Sequence, residues 1–339
     1  MQRRMLEAGP LLKRDGTLVE KGYSQGLIKR LNSGFITEKP KRLRGWECYH
    51  LLSDMCRFNI SVSQGRGRAY LMLSLFDMAS DKVYSCLKSE NADSDKLGDE
   101  LGGGMVHMMG KRYEITIRNK GESTHIYGHV YDFFEKTPML FDFILRLNPL
   151  SSIAYCDSLP KRESLFYYTL KSCCLTTDGR VIFGDREYLF PPSAAVSCAD
   201  STRGAFQGRW TRRIIGVGGI VEGAPFGLNL VEGLSNATTE NALFYAGHIN
   251  KLENISIQVA TVNGKKDLKR PLTVIDGAGR LKLLFTPKLK GEFRIGGSLK
   301  GAKESYVAGN LQGTALLDNG RLLNIANIPA FYHATDASF

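Results

Sequence analysis

Short runs of alternating apolar and polar residues recur along this chain, and they constrain its fold more than any other feature. In residues 112–118, Tyr113, Ile115 and Ile117 alternate with polar residues and point to one side of a predicted strand. Similar strands are predicted at residues 57–63, 68–76, 124–131 and 139–147. No amphipathic pattern is long enough for a helix of about 15 residues, and the best short helical segment is 26–33. The pattern therefore predicts an antiparallel meander of short strands.

The second half of the chain repeats this pattern. Hairpin turns are predicted at Asp178–Gly179 and around Asp318-Asn319-Gly320, because these sequences favour tight turns between strands. Further strands are predicted at residues 164–174, 180–184, 187–190, 212–222, 225–232, 254–262, 272–275, 280–285, 305–311 and 313–317. Many short strands close into barrels or pack as sandwiches, which leaves few exposed edges. The predicted fold is all-β, with two antiparallel β-barrel or sandwich halves packed together and few short helices.

The length of 339 residues exceeds what one hydrophobic core usually supports, so two domains are expected. Residues 149–162 contain Pro149 and Pro160 and show little periodicity, which is typical of a domain boundary. The predicted division is a basic N-terminal arm at 1–45, a first β-barrel-like domain at 46–155 and a second at 156–339.

The net charge of +11 comes largely from basic residues crowded into the first 45 positions. A solvated arm is the favoured interpretation, and no nucleic-acid partner is expected because no nucleic-acid-binding motif accompanies the charge. A weak contact between this arm and an anionic membrane surface stays open. No apolar run reaches the length of about 18 residues needed for a membrane helix, and the N-terminus lacks a secretory apolar region.

The seven cysteines form an odd set without a CxxC pair. Such cysteines are typical of buried thiols in a cytosolic protein. The expected location is therefore cytoplasmic, with no metal site and no cofactor. Motifs for serine hydrolases, zinc proteases and dinucleotide binding are also absent from the sequence.

Candidate site residues begin at Trp46-Glu47-Cys48-Tyr49-His50. Strand alternation places Glu47 and Tyr49 on one face, and the other three side chains on the opposite face. One interpretation is a half-buried aromatic pair at a domain entrance. The other places Tyr49 and His50 at the mouth of a ligand cavity.

A second candidate is the segment Asp200-Ser-Thr-Arg203-Gly204, followed by Trp210. An arginine among small residues can hold a carboxylate or another ligand oxygen with its forked guanidinium group. Arg203 could equally form a structural clamp with Asp200. Both interpretations remain open from the sequence.

Three more polar residues lie in the next strands. Asn229 follows a glycine-rich stretch, and it faces a lumen if Leu228 and Leu230 face outward or between the domains. Glu240 precedes an apolar strand that ends before His248. The simpler interpretation is side-chain bonding to the local backbone, and the more specific one is an acid or base in a pocket.

These stretches resemble the bacterial proteins grouped as domain-of-unknown-function family 2804. The resemblance covers nearly the whole chain and rests on the segments GPLLKRDGTLVEKGYS, RGWECYH, FYY…K with its VIFGDREYLF hairpin, the RG turn, EGAPFGLNLVEG, TTENALFYAGHINKL and GTALLDNGR. The family's arginine turn usually reads Asp-Trp-Gly-Arg-Gly, whereas here Asp200, Arg203 and Gly204 are kept and the tryptophan is lost. The family is remotely similar to double-lipocalin-like carotenoid hydratases and cofactor-free pericyclases, which implies two lipocalin-like barrels and an apolar cavity.

Two functions follow as expectations. The first is binding of a hydrophobic small molecule, of lipid, isoprenoid or polyketide type, in a β-barrel cavity. Arg203, Asn229, His248, Trp210, Tyr49 and His50 are the predicted ligand-binding residues. The alternative is a cofactor-independent hydratase, isomerase or cyclase, in which Glu240 or Asp200 donates a proton and Arg203 or His248 stabilises charge.

Overall fold

The computed structural model describes residues 3–92, 96–160, 162–233, 239–296 and 301–338. Short 3-10 helices lie at Ser33–Phe35, Pro40–Arg42 and Pro149–Ser151. The strands up to residue 205 are β1 (Gly9–Pro10), β2 (Gly22–Gln25), β3 (Lys29–Arg30), β4 (Leu43–Leu52), β5 (Cys56–Gly65), β6 (Arg68–Asp77), β7 (Lys82–Asn91), β8 (Met105–Gly110), β9 (Tyr113–Lys120), β10 (Ser123–Phe134), β11 (Thr137–Arg146), β12 (Ser152–Ser158), β13 (Phe166–Phe183), β14 (Arg186–Phe190) and β15 (Val196–Ala205).

The remaining strands form the second part of the molecule. They are β16 (Arg209–Val221), β17 (Ala224–Glu232), β18 (Ala242–Tyr245), β19 (His248–Lys251), β20 (Ile255–Gln258), β21 (Thr261–Val262), β22 (Lys265–Lys266), β23 (Leu272–Asp276), β24 (Leu281–Gly296), β25 (Gly301–Leu316) and β26 (Leu322–Ser338). None of the helices in the described chain is long and apolar enough to cross a membrane.

The first sheet has thirteen strands, with the main order β7-β6-β5-β4-β15-β13-β11-β10-β9-β8. Strands β2, β12 and β14 pair at its side. Alternate side chains of these strands point inward and form one apolar core that includes Phe58, Ile117 and Phe143. Because the curled sheet buries this face, the alternating pattern of the sequence appears directly as inward and outward positions.

The second sheet has nine strands in the order β19-β18-β17-β16-β26-β25-β24-β23-β20. Its own core includes Leu228, Leu230 and Phe285. The two curled antiparallel sheets form a barrel and a half-barrel. The predicted all-β architecture of two packed halves is confirmed.

The division between the halves differs from the predicted one. Strands β13 and β15 belong to the first sheet, where they pair with β11 and β4. The chain therefore changes sheets between Ala205 and Arg209, and the expected boundary at 155/156 falls inside the first half. The prolines of residues 149–162 suggested a domain boundary, but Pro149–Ser151 forms only a short 3-10 helix between two strands of the same sheet.

The N-terminal 45 residues do not form a solvated arm. Met5, Leu11 and Leu12 are almost fully buried against side chains of β12 and β13. The side chain of Lys29 is only 4% exposed, and its Nζ lies 3.1 Å from Oε2 of Glu20. The many basic residues of this segment suggested a solvated arm, but the apolar residues among them pack on the first sheet.

Two local predictions are wrong and one is confirmed. Residues 26–33 contain strand β3 rather than a helix. Strand β13 runs straight through Asp178 and Gly179, and its hairpin with β14 turns after Phe183 instead. The closing hairpin around Asn319 joins β25 to β26 as predicted.

The outer faces of β4, β13 and β15 contact β16, β17 and β26 of the second sheet, and β6 and β7 contact β24. Strand β4 is buried over nearly all its length because the barrel interior covers one face and the second sheet covers the other. Charged groups on this covered face must find partners within the protein. The candidate site lies on this face.

Candidate functional site between the two sheets

Four charged side chains meet between the sheets, and we call them the inter-sheet charge cluster. They are Lys171 on β13, Asp200 on β15, Arg212 on β16 and Glu240, which precedes β18. Each is at most 6% exposed. Two cations therefore balance two carboxylates in a buried region, where a charge left without its partner would be costly.

Asp200 is the centre of this cluster. Its Oδ1 lies 2.5 Å from Nζ of Lys171, and its Oδ2 accepts a hydrogen bond from Arg212. Thr202 also donates to Oδ1, at 3.0 Å. Burial alone would raise the pKa of Asp200, but the charges of Arg212 and Lys171 outweigh it and hold the pKa well below its usual value. Asp200 is therefore a carboxylate under all ordinary conditions.

Glu240 joins the cluster from the second half of the molecule. The hydroxyl of Tyr167 donates to its Oε1 at 2.7 Å, and Nζ of Lys171 lies 3.7 Å from its Oε2. The side chain of Asn229 donates to its backbone carbonyl at 2.9 Å. Burial raises the pKa of Tyr167 well above its usual value, so this hydroxyl keeps its proton. Residues 234–238, which precede Glu240, lie outside the described part of the chain.

Arg203 does not belong to this cluster, because Asp200 and Arg203 point to opposite faces of β15. Its Nη1 lies 2.9 Å from Oε1 of Glu47, inside the mouth of the first barrel. It also donates to the carbonyls of Leu97 and Gly98, at 2.6 and 2.8 Å. The predicted Asp200–Arg203 clamp is therefore wrong, and the actual partner of Arg203 is Glu47.

The arginine at position 203 has room because residue 45 is glycine. A Cβ at Gly45 would lie 2.9 Å from Cδ of Arg203, closer than real packing allows. Burial raises the pKa of Glu47, although Arg203 and the hydroxyl of Ser201 partly offset this. The pair is a buried clamp that ties the loop at 97–98 to β4 and β15.

The sequence analysis missed Lys171 and Arg212, which supply both cations of the charge cluster. Lys171 directly follows the largely apolar run Phe166–Leu170, and a lysine inside such a strand is rarely buried without a partner. That rarity was the available signal for Lys171. The sequence gives no such signal for Arg212, because it lies in an ordinary Thr-Arg-Arg stretch at the start of β16.

The other residues predicted for the site lie in different parts of the molecule. Tyr49 points into the core of the first barrel and does not lie at a cavity mouth. His248 is exposed at the β18–β19 hairpin and is not part of the polar cluster. Asn229 faces the first sheet because Leu228 and Leu230 fill the second core. His50 lies between the sheets, on the face predicted from strand alternation.

A second group, the inter-sheet histidine cluster, consists of Cys48, His50, Glu304 and His333, all buried. The Sγ of Cys48 and Nε2 of His50 are 3.6 Å apart. Nε2 of His333 lies 2.7 Å from Oε2 of Glu304. Burial, and then the neighbouring His333, lower the pKa of His50 to about 3, so this imidazole is neutral.

A cavity of about 330 Å³ opens beside these clusters. Trp46 and Trp210 line it, with ring centroids 6.2 Å apart. Arg44 and Arg66 line the same cavity. Behind it, the guanidinium of Arg212 lies 4.9 Å from the ring of Trp46, so one side chain separates the cavity from the charge cluster.

The family model described as domain of unknown function DUF2804 matches residues 2–339. The chain belongs to this family. No curated protein matches its sequence. The family's arginine turn corresponds to β15, and in this member Ser201 and Thr202 take part in the hydrogen bonds of Glu47 and Asp200.

Solved structures resemble the fold at low identity. Kievitone hydratase from Nectria haematococca is 8% identical, with a TM-score of 0.50 over 87% of this chain and 88% of that one. CghA in complex with Sch210972 is 10% identical, with a TM-score of 0.47 over 98% of each chain. The first of these likenesses shows a shared fold and does not by itself assign an activity.

Proposed function

We propose that this DUF2804 protein binds an apolar small molecule that carries an anionic group, in the cavity between its two sheets. The observation that carries this proposal is that Trp46 and Trp210, the only two tryptophans of the chain, both line that cavity. Aromatic side chains supply large contact areas at low entropic cost, and they concentrate at binding sites.

The size and lining of the cavity support this. Its volume of about 330 Å³ falls at the lower end of the range for small-molecule sites. Tyr70 and Ile295 add further apolar wall. The aromatic floor would receive the apolar part of a ligand.

Two arginines favour an anionic group on the ligand. Burial first, and then repulsion by the charge of Arg66, lower the pKa of Arg44 to about 10. A bound carboxylate would relieve that repulsion and accept forked hydrogen bonds. A neighbouring cavity of about 590 Å³ also uses Arg66, together with Lys41 and Arg42, so the anionic end faces a basic surface.

The test uses cis-parinaric acid, a fluorescent polyene carboxylic acid. Binding would quench tryptophan emission and produce energy transfer, because both donors lie at the proposed site. Arg44→Met should weaken binding by about tenfold, the loss expected for one charge-assisted hydrogen bond. The cetyl alcohol analogue, which lacks the carboxylate, should compete poorly against the wild type.

Tyr131→Leu is the matched control, because Tyr131 is an exposed aromatic residue of the first sheet, far from the cavity lining. It should bind cis-parinaric acid as the wild type does. Absence of energy transfer in the wild type would contradict binding at this cavity. So would a Trp46→Leu/Trp210→Leu double variant that binds cis-parinaric acid with wild-type affinity, measured by the fluorescence of the ligand itself.

A second function, acid–base catalysis on the same ligand, is favoured by one specific contact. The Tyr167–Glu240 hydrogen bond places a proton-bearing pair behind Trp46, whose ring centroid lies 6.5 Å from that of Tyr167. The fold shared with a kievitone hydratase fits a hydration or isomerisation of this kind. Asp200 is held as a carboxylate and His248 is exposed, so Glu240 with Tyr167 is the acid–base pair that we propose.

Catalysis and simple binding give different results in deuterated water. A bound polyene that is hydrated or isomerised by proton transfer gains deuterium on carbon, which mass spectrometry detects. Glu240→Gln should abolish the exchange while the binding of cis-parinaric acid persists. If the ligand recovered from the wild type carried no deuterium, the protein would bind the ligand without catalysing proton transfer to it.

A further inference from the structure

The inter-sheet histidine cluster has unused ligand atoms. One donor atom each from Cys48, His50 and His333 lies within 4.8 Å of the other two. Among the described residues, Nδ1 of His333 is buried without a hydrogen-bond partner. A buried nitrogen without a partner costs about 1–3 kcal/mol, so native proteins rarely keep one without a reason.

The spacing of the donor atoms matches a tetrahedral metal. Zinc–sulfur and zinc–nitrogen bonds of about 2.3 and about 2.0 Å place their ligand atoms about 3.5 Å apart. The Sγ of Cys48 and Nε2 of His50 are 3.6 Å apart. The two residues reach this spacing because they are two positions apart on β4 and share its outer face.

Neighbouring side chains hold the cluster in place. The ring of His333 stacks on Tyr306 with centroids 4.2 Å apart, and the ring of His50 packs against Phe331 at 4.7 Å. Glu304 contacts Nε2 of His333, and Thr335 donates to the same carboxylate oxygen at 2.7 Å. A carboxylate behind a ligating histidine is the usual outer partner in zinc sites.

We propose that Cys48, His50 and His333 bind a zinc ion between the two sheets, with Glu304 as a positioning residue. A thiolate and a carboxylate balance the charge of a divalent ion, so the loaded site is neutral in its buried position. Water from the inter-sheet cavity, which Glu304 lines, would fill the fourth coordination position. Thiolate and imidazole ligands together suit zinc rather than calcium or magnesium. Glu304 also lines the inter-sheet cavity, which gives the ion a route from solvent.

The site would join the two halves of the molecule. Cys48 and His50 come from the first sheet, and His333 and Glu304 from the second. Because a bound ion stabilises only the state in which both strands are in place, zinc should oppose separation of the sheets.

The direct test is a titration of the chelator-treated full chain with Co²⁺, which reports its ligands by absorption. Binding should saturate near about one ion per chain and show thiolate-to-cobalt charge transfer and the intense visible bands of tetrahedral coordination. Zn²⁺ should displace the cobalt and raise the midpoint of urea unfolding. Wild-type protein that shows no thiolate band overturns the proposal, whatever any variant does.

Matched variants locate the ion. Cys48→Ser should remove the thiolate band and weaken zinc by more than about 100-fold, whereas Cys56→Ser, an equally buried thiol on β5, should change neither. His333→Gln should act like Cys48→Ser, and His125→Gln, at the surface, should not. Glu304→Gln should keep the thiolate band and weaken zinc by about 10–100-fold. Equal affinity in Cys48→Ser and Cys56→Ser would show a surface-bound ion only and overturn the proposal.

Discussion

The charge cluster and the histidine cluster lie side by side on one interface, and Cys48 of the second is the register partner of Asp200 of the first. They solve the problem of buried polar groups differently. Lys171, Asp200, Arg212 and Glu240 neutralise one another, so that cluster is complete within the protein. The histidine cluster offers nitrogen and sulfur donors to a ligand. The contrast is that the first cluster is balanced by its own members, whereas the second is the proposed zinc site.

Removing the centre of the charge cluster should have the largest effect. Asp200→Asn should lower the free energy of unfolding by about 3–5 kcal/mol, because Lys171 and Arg212 become poorly compensated buried cations. Asp336→Asn is the control, since Asp336 pairs with Arg213 at 2.7 Å but its side chain is 50% exposed. That change should cost about 0–1 kcal/mol. If the charge cluster did not stabilise the fold, urea unfolding would show similar losses of unfolding free energy in the two variants.

The same carboxylate should make stability depend on acid pH. The folded-state pKa of Asp200 lies below its ordinary value of 3.8. Its stabilisation is therefore complete above that value and is lost as the pH falls below it, when the unfolded state takes up the proton first. The stability difference between wild type and Asp200→Asn should shrink between about pH 4 and the acid limit. A difference that stays constant over this range would contradict the ion pairs.

Breaking the Glu47–Arg203 clamp should lower the free energy of unfolding less than breaking the charge cluster does. Glu47→Gln should cost about 1–3 kcal/mol, because Arg203 keeps the carbonyls of Leu97 and Gly98 as acceptors. Chemical unfolding measures this loss, and it should stay below that of Asp200→Asn. The reverse order would mean that the clamp, and not the inter-sheet cluster, is the more important electrostatic contact.

The histidine cluster should tolerate an apolar replacement in metal-free protein. His50→Phe should change the free energy of unfolding by less than about 1.5 kcal/mol, because the neutral ring already packs among Phe331 and Tyr306. Phe331→Ala is the packing control and should cost about 3–5 kcal/mol. A loss from His50→Phe as large as that from Phe331→Ala would assign the imidazole a structural role instead.

Features that depend on a single strand or turn could be predicted from the sequence. Alternation placed Glu47 opposite Cys48 and His50, and turn chemistry identified the hairpin around Asn319. Pattern and motifs together gave the fold class and the family. These features depend on neighbours in sequence, so one chain contains the information.

Contacts between strands that are far apart in the sequence could not be predicted. Lys171 and Arg212 become partners of Asp200 only after β13, β15 and β16 are assembled, and no spacing in the sequence marks this. The ligand set of Cys48, His50 and His333 spans 285 positions between its ends, so no short motif predicts it. Likewise Arg203 and Asp200 are close in sequence, but the pleat of one strand separates their side chains.

The position of β26 bears on the order in which this protein forms during synthesis. Strand β16 pairs with both β17 and β26, so the centre of the second sheet must wait for residues 322–338. The first sheet, by contrast, is complete once β15 has emerged. Because domains tend to fold as units while the chain is made, the nascent first half would present Lys171, Asp200 and His50 to solvent on a finished surface. Their partners on the second sheet would cover them only in the last step.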